Sequence, residues 1–423
     1  MDESLTQDPP DRKPSWVMAE PEDRVEGGEQ SNPIGLVILA GLFALLWFGA
    51  GPRYFLVVVG LLIMILLHEL GHFMTARWTG MKATQFFIFM GPRIFSFRRG
   101  ETEYGLRLLP LGAFVRIVGM NNLDPCQPED ELRAYKNKSY PKRMLVITAG
   151  SMMHFLQAVL LFVVLSSVIG EPDPSRWSVS EISRLETGET PAVEAGLEPG
   201  DTIAAVDGVA TANFRDLQDY LRDRAGEEVS LEVVRNGTST TVSTVLAARP
   251  TEDGEVVGFL GVAPEFERIR RSPLVGVADF AEAGWSSLTV IPRFLSPDTF
   301  VNLGQLVFAG SGDVAIDSDE AATRPVSMIG AVRIAGQPDF DWALPITMLA
   351  FINIFVGIFN LMPLLPLDGG HAAIATYERI RSRRGHRYHM DVAKLLPLTY
   401  AVVFVLGFLM LTTVWLDIFR PIS

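Results

Sequence analysis

The sequence has little cysteine and little lysine. It holds one cysteine, Cys126, among 423 residues, which excludes an internal disulfide and a zinc site built from cysteines. The formal net charge is −13, which argues against nucleic acid as a partner because nucleic-acid-binding proteins carry a basic surface. Lysine is absent from residue 171 to residue 341, where acidic residues and arginine are common.

Apolar residues make up 48% of the chain, and they are concentrated in blocks. A helix needs about 20 apolar residues to cross a bilayer, and five blocks approach that length: 34–50, 54–76, 144–169, 343–367 and 397–416. This pattern predicts a polytopic α-helical membrane protein. Gly51-Pro52 favours a tight hairpin between the first two blocks. The first block is short, and it could instead be an interfacial or tilted element.

The second block ends in His68-Glu69-Leu70-Gly71-His72, an H-E-x-x-H motif. On a helix, residues four apart project from the same face, so His68 and His72 can bind one zinc ion. Glu69 lies between them, where it can act as general base. Ionisable residues inside an apolar span are costly and usually functional, so the motif indicates a metalloprotease that works within the bilayer.

Residues 82–118 form a different kind of segment. Short aromatic and β-branched runs alternate there with turn signals such as Gly91-Pro92, which is typical of hairpin strands. Because strands open to lipid leave backbone groups unsatisfied, this sheet must lie against protein or at the membrane interface.

Residues 176–266 resemble a PDZ domain. The run from Ala192 to Gly208 reads A-x-x-A-G-L-x-x-G-D-x-I-x-x-x-D-G, and a helix is predicted at 213–223. Asn236-Gly237 predicts a tight turn between two strands. PDZ domains bind an extended peptide as an added strand, so the expected partner here is a peptide C-terminus or a substrate ectodomain.

Zinc needs a third protein ligand and an open position for water. Asp368 is the candidate, because it follows a long apolar run and is flanked by Gly369 and Gly370, which allow close backbone approach. Asp368 lies near one end of its predicted span, and the two histidines lie near one end of theirs. Both ends are expected on the same side of the membrane. This agreement in depth is what one shared metal site requires.

Positive charge sets the predicted orientation. The lysines lie in the tail or in the loops after residues 76 and 371: Lys13, Lys82, Lys136, Lys138, Lys142 and Lys394. The positive-inside rule places those loops in the cytoplasm. The protein is therefore expected in the cell inner membrane, with the PDZ-like region on the extracytoplasmic side and the active site near the cytoplasmic face. If block 34–50 does not span, four spans remain and the N-terminal tail lies outside.

These motifs together resemble the site-2 protease family of intramembrane zinc metalloproteases. The resemblance rests on H-E-x-G-H in one span, a PDZ-like module, and Asn360-x-x-Pro-x-x-Pro-Leu-Asp368-Gly-Gly-His in a later span, and it covers residues 54–418. It implies His68, His72 and Asp368 as zinc ligands and Glu69 as base. It also implies that 82–118 is a membrane-associated β-hairpin region that presents substrate as an added strand. Asn360 matches a family position that helps to hold the substrate backbone.

One position departs from the family pattern. Bacterial members commonly have A-G-P-x-x-N-F after the cytoplasmic loop, whereas this chain reads Ala149-Gly150-Ser151-Met152-Met153-His154-Phe155. His154 could donate a hydrogen bond to a substrate carbonyl or an oxyanion. It could also contact the metal as a fourth ligand, or it could have only a packing role in the protein interior.

The predicted organisation follows from these segments. In chain order it is a disordered tail (1–33), an extra transmembrane segment (34–50), the transmembrane helix with the zinc motif (51–81), the hairpin region (82–118), a cytoplasmic loop (119–143), a transmembrane helix (144–170), the PDZ domain (176–266), an extracytoplasmic linker with amphipathic helices (267–342), the transmembrane helix with the Leu-Asp-Gly motif (343–371), a basic cytoplasmic loop (372–396) and a last transmembrane helix (397–418).

The expected activity is hydrolysis of a single-span membrane protein within or near its transmembrane segment, with Zn²⁺ as cofactor. Family resemblance suggests an anti-sigma factor or another membrane-bound regulator as substrate, after a first extracytoplasmic cut, and remnant signal peptides as a second class. The rival hypotheses are a non-catalytic PDZ scaffold in the membrane and a zinc transporter. A scaffold predicts a degenerate zinc motif, whereas every expected ligand is present here. A transporter needs polar residues along several spans, and residues 144–169 and 397–416 contain few of them.

Overall fold

Five helices among the described residues are long and apolar enough to cross a membrane, and they make the chain a multi-pass membrane protein. They are Pro33–Ala50, Pro52–Trp78, Tyr140–Ile169, Ala343–Asn360 and Val392–Phe419. This computed structural model describes residues 30–120, 127–183, 188, 190–251, 255–294, 296–308, 324–337, 341–382 and 388–422. Cys126 and most of the predicted tail lie outside the described residues.

The described chain divides into two compact units. The first comprises the described part of Met1–Met152 together with Leu361–Phe404, and the second comprises Met153–Asn360 and Val405–Ser423.

In the first unit, two apolar helices form the predicted hairpin. Helix α1 (Pro33–Leu45) continues through a π-helical turn to Ala50, and α2 (Pro52–Trp78) follows after Gly51. Gly51 has φ of +107°, a conformation that glycine adopts without steric cost. The Trp47 and Phe55 rings pack edge to face at 5.0 Å across the turn.

Residues 82–118 contain two long antiparallel strands, β2 (Ala83–Arg99) and β3 (Thr102–Ile117). Both strands bend, so Phe86 pairs with Tyr104 on one side and with Val115 on the other. The part of β3 around Val115 is therefore an outer strand of this small sheet. Association of this sheet with the membrane stays a prediction.

A short strand, β1 (Gln30–Ser31), pairs with β2 opposite Ser96 and Phe95. The predicted disordered tail of 1–33 is therefore wrong at its last residues. Edge strands offer unpaired backbone groups to any extended segment nearby, and this segment takes up that pairing.

The predicted cytoplasmic loop 119–143 contains short helical turns at Pro128–Arg133 and Tyr135–Asn137. Helix α3 (Tyr140–Val164) then begins, and a π-helical turn extends it to Ile169. Lys82 Nζ lies 2.7 Å from Asp130 Oδ2, which ties this loop to the end of α2. An apolar core joins α2, β3, α3 and the helix that follows Asp368, and its buried members are Ala76, Met81, Ile117, Tyr135, Val146, Ile147 and Ala375.

The predicted transmembrane helix 343–371 is wrong at its C-terminal end. Helix α9 (Ala343–Asn360) stops at Asn360, and α10 (Asp368–Arg381) starts at Asp368. Pro363 and Pro366 lie between them, and proline disrupts a helix interior because it lacks an N–H and its ring clashes with the preceding turn. The basic loop predicted at 372–396 is correspondingly shorter, since α10 runs to Arg381.

The second unit holds a β-rich domain after α3. Its strands are β4 (Glu171–Ile182), β5 (Thr202–Val206), β6 (Val209–Ala210), β7 (Glu228–Arg235), β8 (Thr238–Val245), β9 (Ala247–Pro250), β10 (Val256–Phe259) and β11 (Val262–Ile269), and its helices are α4 (Pro191–Glu194) and α5 (Phe214–Arg222). A four-stranded antiparallel sheet has the order β6-β5-β7-β8, while β4 pairs with β11 and β9 with β10.

This β-rich domain extends beyond the predicted 176–266, because β4 and β11 pair from Glu171 to Ile269. The predicted turn at Asn236-Gly237 is confirmed: both residues have positive φ, of 51° and 78°, and they connect β7 to β8. The core of this domain is built from residues of several of its elements, including Trp177, Leu217, Leu231 and Leu246.

Helices α6 (Pro273–Phe294), α7 (Pro297–Phe308) and α8 (Met328–Gly336) follow. The last helix, α11 (Leu396–Phe419), carries Asp417, whose Oδ1 lies 2.8 Å from the Arg324 guanidinium in a fully buried ion pair. Asp417 Oδ2 also accepts a hydrogen bond from the Ser327 N–H at 2.7 Å, so this carboxylate fixes the start of α8.

Candidate metal centre

The two histidines of the H-E-x-x-H motif lie on consecutive turns of α2. Their Nε2 atoms are 3.1 Å apart, and their rings meet edge to face with centroids 4.7 Å apart. His72 is buried, with 4% exposure. The helix therefore directs two imidazole nitrogens to one point, as the four-residue spacing predicts.

Asp368, the first residue of α10, completes the cluster. Its Oδ2 lies 3.4 Å from His68 Nε2 and 3.3 Å from His72 Nε2. Tetrahedral zinc with ligand bonds of about 2.0–2.1 Å places its ligand atoms about 3.3 Å apart, which is the spacing found here. Asp368 Oδ2 is buried and accepts no hydrogen bond from any described residue. The three residues could thus hold a metal ion, and the donor set fits zinc.

Helix α3 sets the orientation of His72. His72 Nδ1 donates to the Val146 carbonyl at 2.7 Å, so Nε2 is the ring nitrogen that faces His68 and Asp368. A second hydrogen bond of this kind fixes the tautomer and ring plane of a metal-binding histidine.

Gly150, one turn further along α3, makes the close approach possible. A Cβ atom at this position would lie 2.5 Å from His68 Cε1 and 2.5 Å from His72 Nε2. Any side chain there would displace the imidazoles, so α3 needs glycine at the face that contacts the metal cluster.

Glu69 contacts the outer strand of the small sheet. Its Oε2 accepts a hydrogen bond from the Val115 N–H at 3.1 Å. This bond holds the carboxylate beside β3, one residue along α2 from His68. The sheet and the cluster therefore meet at Glu69.

The contacts of Val146 and Val115 were not among the sequence predictions. Both are backbone contacts, and a backbone carbonyl or N–H leaves no trace in residue type. Gly150 did stand out as part of the Ala149-Gly150-Ser151 run, but its distance to the imidazoles requires coordinates.

His154 and Asn360 lie in the second unit. His154 is buried at 2% exposure, and its Nδ1 lies 3.1 Å from the Asn353 side-chain oxygen. Asn353 Nδ2 donates to the Leu349 carbonyl, so its oxygen accepts from His154. Asn360 is the half-buried last residue of α9. The roles of these two residues in substrate binding stay predictions.

An H-E-x-x-H helix, a carboxylate from a second helix and five candidate spans define a membrane-embedded metallopeptidase. The chain matches peptidase family M50 over residues 56–405 and belongs to that family, which confirms the predicted site-2 protease assignment. The zinc metalloprotease Rip1 of Mycolicibacterium smegmatis is 34% identical over 420 residues, covering 89% of this chain and 99% of the relative. Rip1 of Mycobacterium tuberculosis is 34% identical over 401 residues, covering 87% and 97%.

A solved PDZ domain, that of the SdrC-like protein from Listeria monocytogenes, is 19% identical and covers 22% of this chain and 92% of that domain, with a TM-score of 0.18.

Family membership settles the chemical class. The chain is a zinc metalloendopeptidase with Zn²⁺ as cofactor. This excludes the non-catalytic scaffold and the transporter as its primary function.

Proposed function

We propose that this chain cleaves single-span membrane proteins within or near their transmembrane segment, with His68, His72 and Asp368 as the zinc ligands. The observation that carries the proposal is the meeting of three ligand atoms, each pair within 3.4 Å, at the end of a membrane-spanning helix.

In this proposal Glu69 is the general base. Bound zinc would supply Lewis-acid activation of water and of the scissile carbonyl. Glu69 would take a proton from the attacking water and later deliver it to the leaving amine. Its hydrogen bond from the Val115 N–H keeps the carboxylate near the cluster, while the Val146 carbonyl holds His72 in the ligating tautomer.

The same contact explains how a substrate could be presented. A transmembrane helix hides its peptide bonds in internal hydrogen bonds, so a substrate has to unwind before hydrolysis. A strand added beside Val115 would replace part of the lost hydrogen bonding. It would also lie next to Glu69, because Val115 is the residue whose N–H reaches that carboxylate.

The β-rich domain would act on the extracytoplasmic side. As a PDZ domain it would filter substrates by size, or bind the new C-terminus left by a first cut. Membrane-bound regulators such as anti-sigma factors are the proposed substrates, with remnant signal peptides as the second class. Asn360 and His154 are proposed to contact the substrate backbone.

Glu69→Gln tests the proposal. The amide cannot accept the proton, so cleavage of a tagged single-span substrate co-expressed with the variant should fall by about 10²–10⁴-fold. The zinc content of the purified variant should stay at one ion per chain, because Glu69 is not a proposed ligand. Continued cleavage at the wild-type rate would exclude Glu69 as the base.

His68→Ala separates metal binding from proton transfer. This variant should lose both tightly bound zinc and cleavage, since two ligands bind zinc far more weakly than three. Zinc retained at full occupancy would show that the ligands lie elsewhere.

A further inference from the structure

A pocket of about 370 Å³ lies between the start of α3 and the end of α10, and it is rich in basic residues. Lys136, Lys138, Arg143 and Arg379 line it, together with Tyr140 and Tyr388. We name it the basic pocket. All of its lining residues belong to the first unit, and the zinc chemistry uses none of them.

The charges of the basic pocket are only partly balanced. Arg143 pairs with Glu378 at 2.7 Å, and Lys136 pairs with Glu131 at 3.2 Å. Lys138 and Arg379 have no acidic partner within 4 Å among the described residues. Burial lowers the pKa of Lys138, and Lys142 and Arg133 nearby lower it further. The pocket thus keeps excess positive charge that a bound anion would stabilise.

Arg143 adds a buried donor to the residues that line the pocket. Arg143 is 8% exposed and lines the pocket, and its buried Nε has no hydrogen-bond acceptor among the described residues. Leaving such a donor unpaired costs free energy. The Arg143 guanidinium pairs with Glu378 through NH2, and its Nε–H is a further donor that a second acceptor could use.

The pocket lies at the ends of two membrane spans. Tyr140 is the first residue of the span Tyr140–Ile169, and Tyr388 lies just before the span Val392–Phe419. Tyrosine is enriched at the membrane–water interface. Both spans begin at the pocket, so their N-terminal ends lie on one side of the membrane, at the depth of the lipid headgroups. Basic pockets between spans at this depth bind anionic headgroups.

We propose that the basic pocket binds the phosphate group of an anionic phospholipid. The phosphodiester would accept hydrogen bonds from Lys138 and Arg379 and from Arg143 Nε, and the two tyrosines would border the glycerol region. Phosphate is the recognised chemistry, and a free phosphate ion is the other possible source of it.

The test uses the full chain, purified in a neutral detergent. Dihexanoyl phosphatidylglycerol, kept below its micelle-forming concentration, is titrated against the wild type and against the pair Lys138→Gln with Arg379→Gln. The matched control is the pair Lys142→Gln with Lys394→Gln, which removes the same charge from exposed positions that do not line the pocket. Inorganic phosphate is titrated in parallel.

The pocket pair should bind the lipid about tenfold or more weakly than the wild type, because hydrogen bonds to charged groups are among the strong ones. The control pair should stay within about twofold of the wild type. Inorganic phosphate that binds as tightly as the lipid would support the site and assign it to free phosphate. Equal loss in both pairs, or no binding of either probe to the wild type, would overturn the proposal.

Discussion

At the scale of single residues, backbone groups of α3 and β3 orient two side chains of the candidate metal centre. The Val146 carbonyl directs His72, and the Val115 N–H directs Glu69. Neither contact depends on the side chain of the valine. Substituting these valines by other apolar residues should therefore leave the contacts intact, whereas a change that moves the backbone should disturb them.

Gly150 is the position where a single methyl group should disturb the centre. In Gly150→Ala the new Cβ would lie 2.5 Å from both imidazoles. Overpacking of this kind costs about 1–3 kcal/mol, and here it falls on the metal ligands, so zinc affinity should drop by about tenfold or more. Competition with a fluorescent zinc chelator measures the affinity directly.

Gly407→Ala is the matched control for this change. Gly407 lies in α11, and a Cβ there would meet no atom within 4 Å. That variant should bind zinc like the wild type. If both alanine variants bind zinc equally well, the close approach of α3 to the imidazoles does not constrain the metal site.

The sequence predicted the chemistry of the centre but not its supports. Spacing alone brought His68 and His72 to one helix face, with Glu69 next to His68 in the chain, because the helical period fixes which residues share a face. Asp368 was predicted as the third ligand, and the structure places its Oδ2 within 3.4 Å of both imidazoles. The supporting groups are backbone atoms of distant segments, which only the folded chain brings near.

At the scale of elements, the β-rich domain depends on a buried carboxylate at the turn before β5. Asp201 is 1% exposed and accepts hydrogen bonds from Arg235 Nε at 2.7 Å and from the Glu198 N–H at 2.8 Å. These bonds connect the turn to the end of β7. The hydrogen bonds from Arg235 hold the pKa of Asp201 below its usual range, although burial opposes them.

This lowered pKa predicts the direction of the pH dependence. A carboxyl group with a folded pKa below its unfolded value of about 3.9 stabilises the folded domain above that pH. The contribution is lost as pH falls through the lowered pKa, because protonation breaks the ion pair. In Asp201→Asn the domain should be less stable at pH 7 by about 1–3 kcal/mol, and it should lack this acid-dependent loss.

Pulse proteolysis in urea on the full chain, at pH 7 and at stepwise lower pH, checks both parts. Asp219→Asn serves as the control, since Asp219 lies on α5 in the same domain and makes no ion pair among the described contacts. An Asp201→Asn domain as stable as the wild type at neutral pH would contradict the role given to this carboxylate.

The element boundaries show where sequence reasoning fails. The apolar run that begins at residue 343 reads as one span through Asp368, because hydropathy does not register the two prolines that end α9 at Asn360. The break has a consequence: it makes Asp368 the first residue of a new helix. Gly369 is required there, since a Cβ would lie 2.2 Å from the Met362 carbonyl oxygen.

At the scale of the whole molecule, the order of the spans determines which side each domain faces. An odd number of crossings separates the two chain ends, and two crossings separate the loop before α3 from the loop after α10. If all five candidate spans cross the bilayer, we expect the loop at 119–143 and the loop after Arg381 to share one side and the β-rich domain to lie on the other. The basic pocket joins residues from both of those loops, which is consistent with their lying on the same side.

Cysteine labelling tests this orientation, and the single native cysteine makes the experiment simple. In a Cys126→Ser background, Thr238→Cys places a thiol on the exposed start of β8, and Lys142→Cys places one at the exposed start of α3. Because the positive-inside rule puts the lysine-rich loops in the cytoplasm, a membrane-impermeant maleimide should label the first thiol in intact cells. It should label the second only after permeabilisation. The Cys126→Ser chain itself reports background labelling. If the thiol at position 142 is labelled in intact cells and the thiol at position 238 only after permeabilisation, the metal centre lies toward the outside of the cell, where a substrate would be cut before any PDZ-type screening.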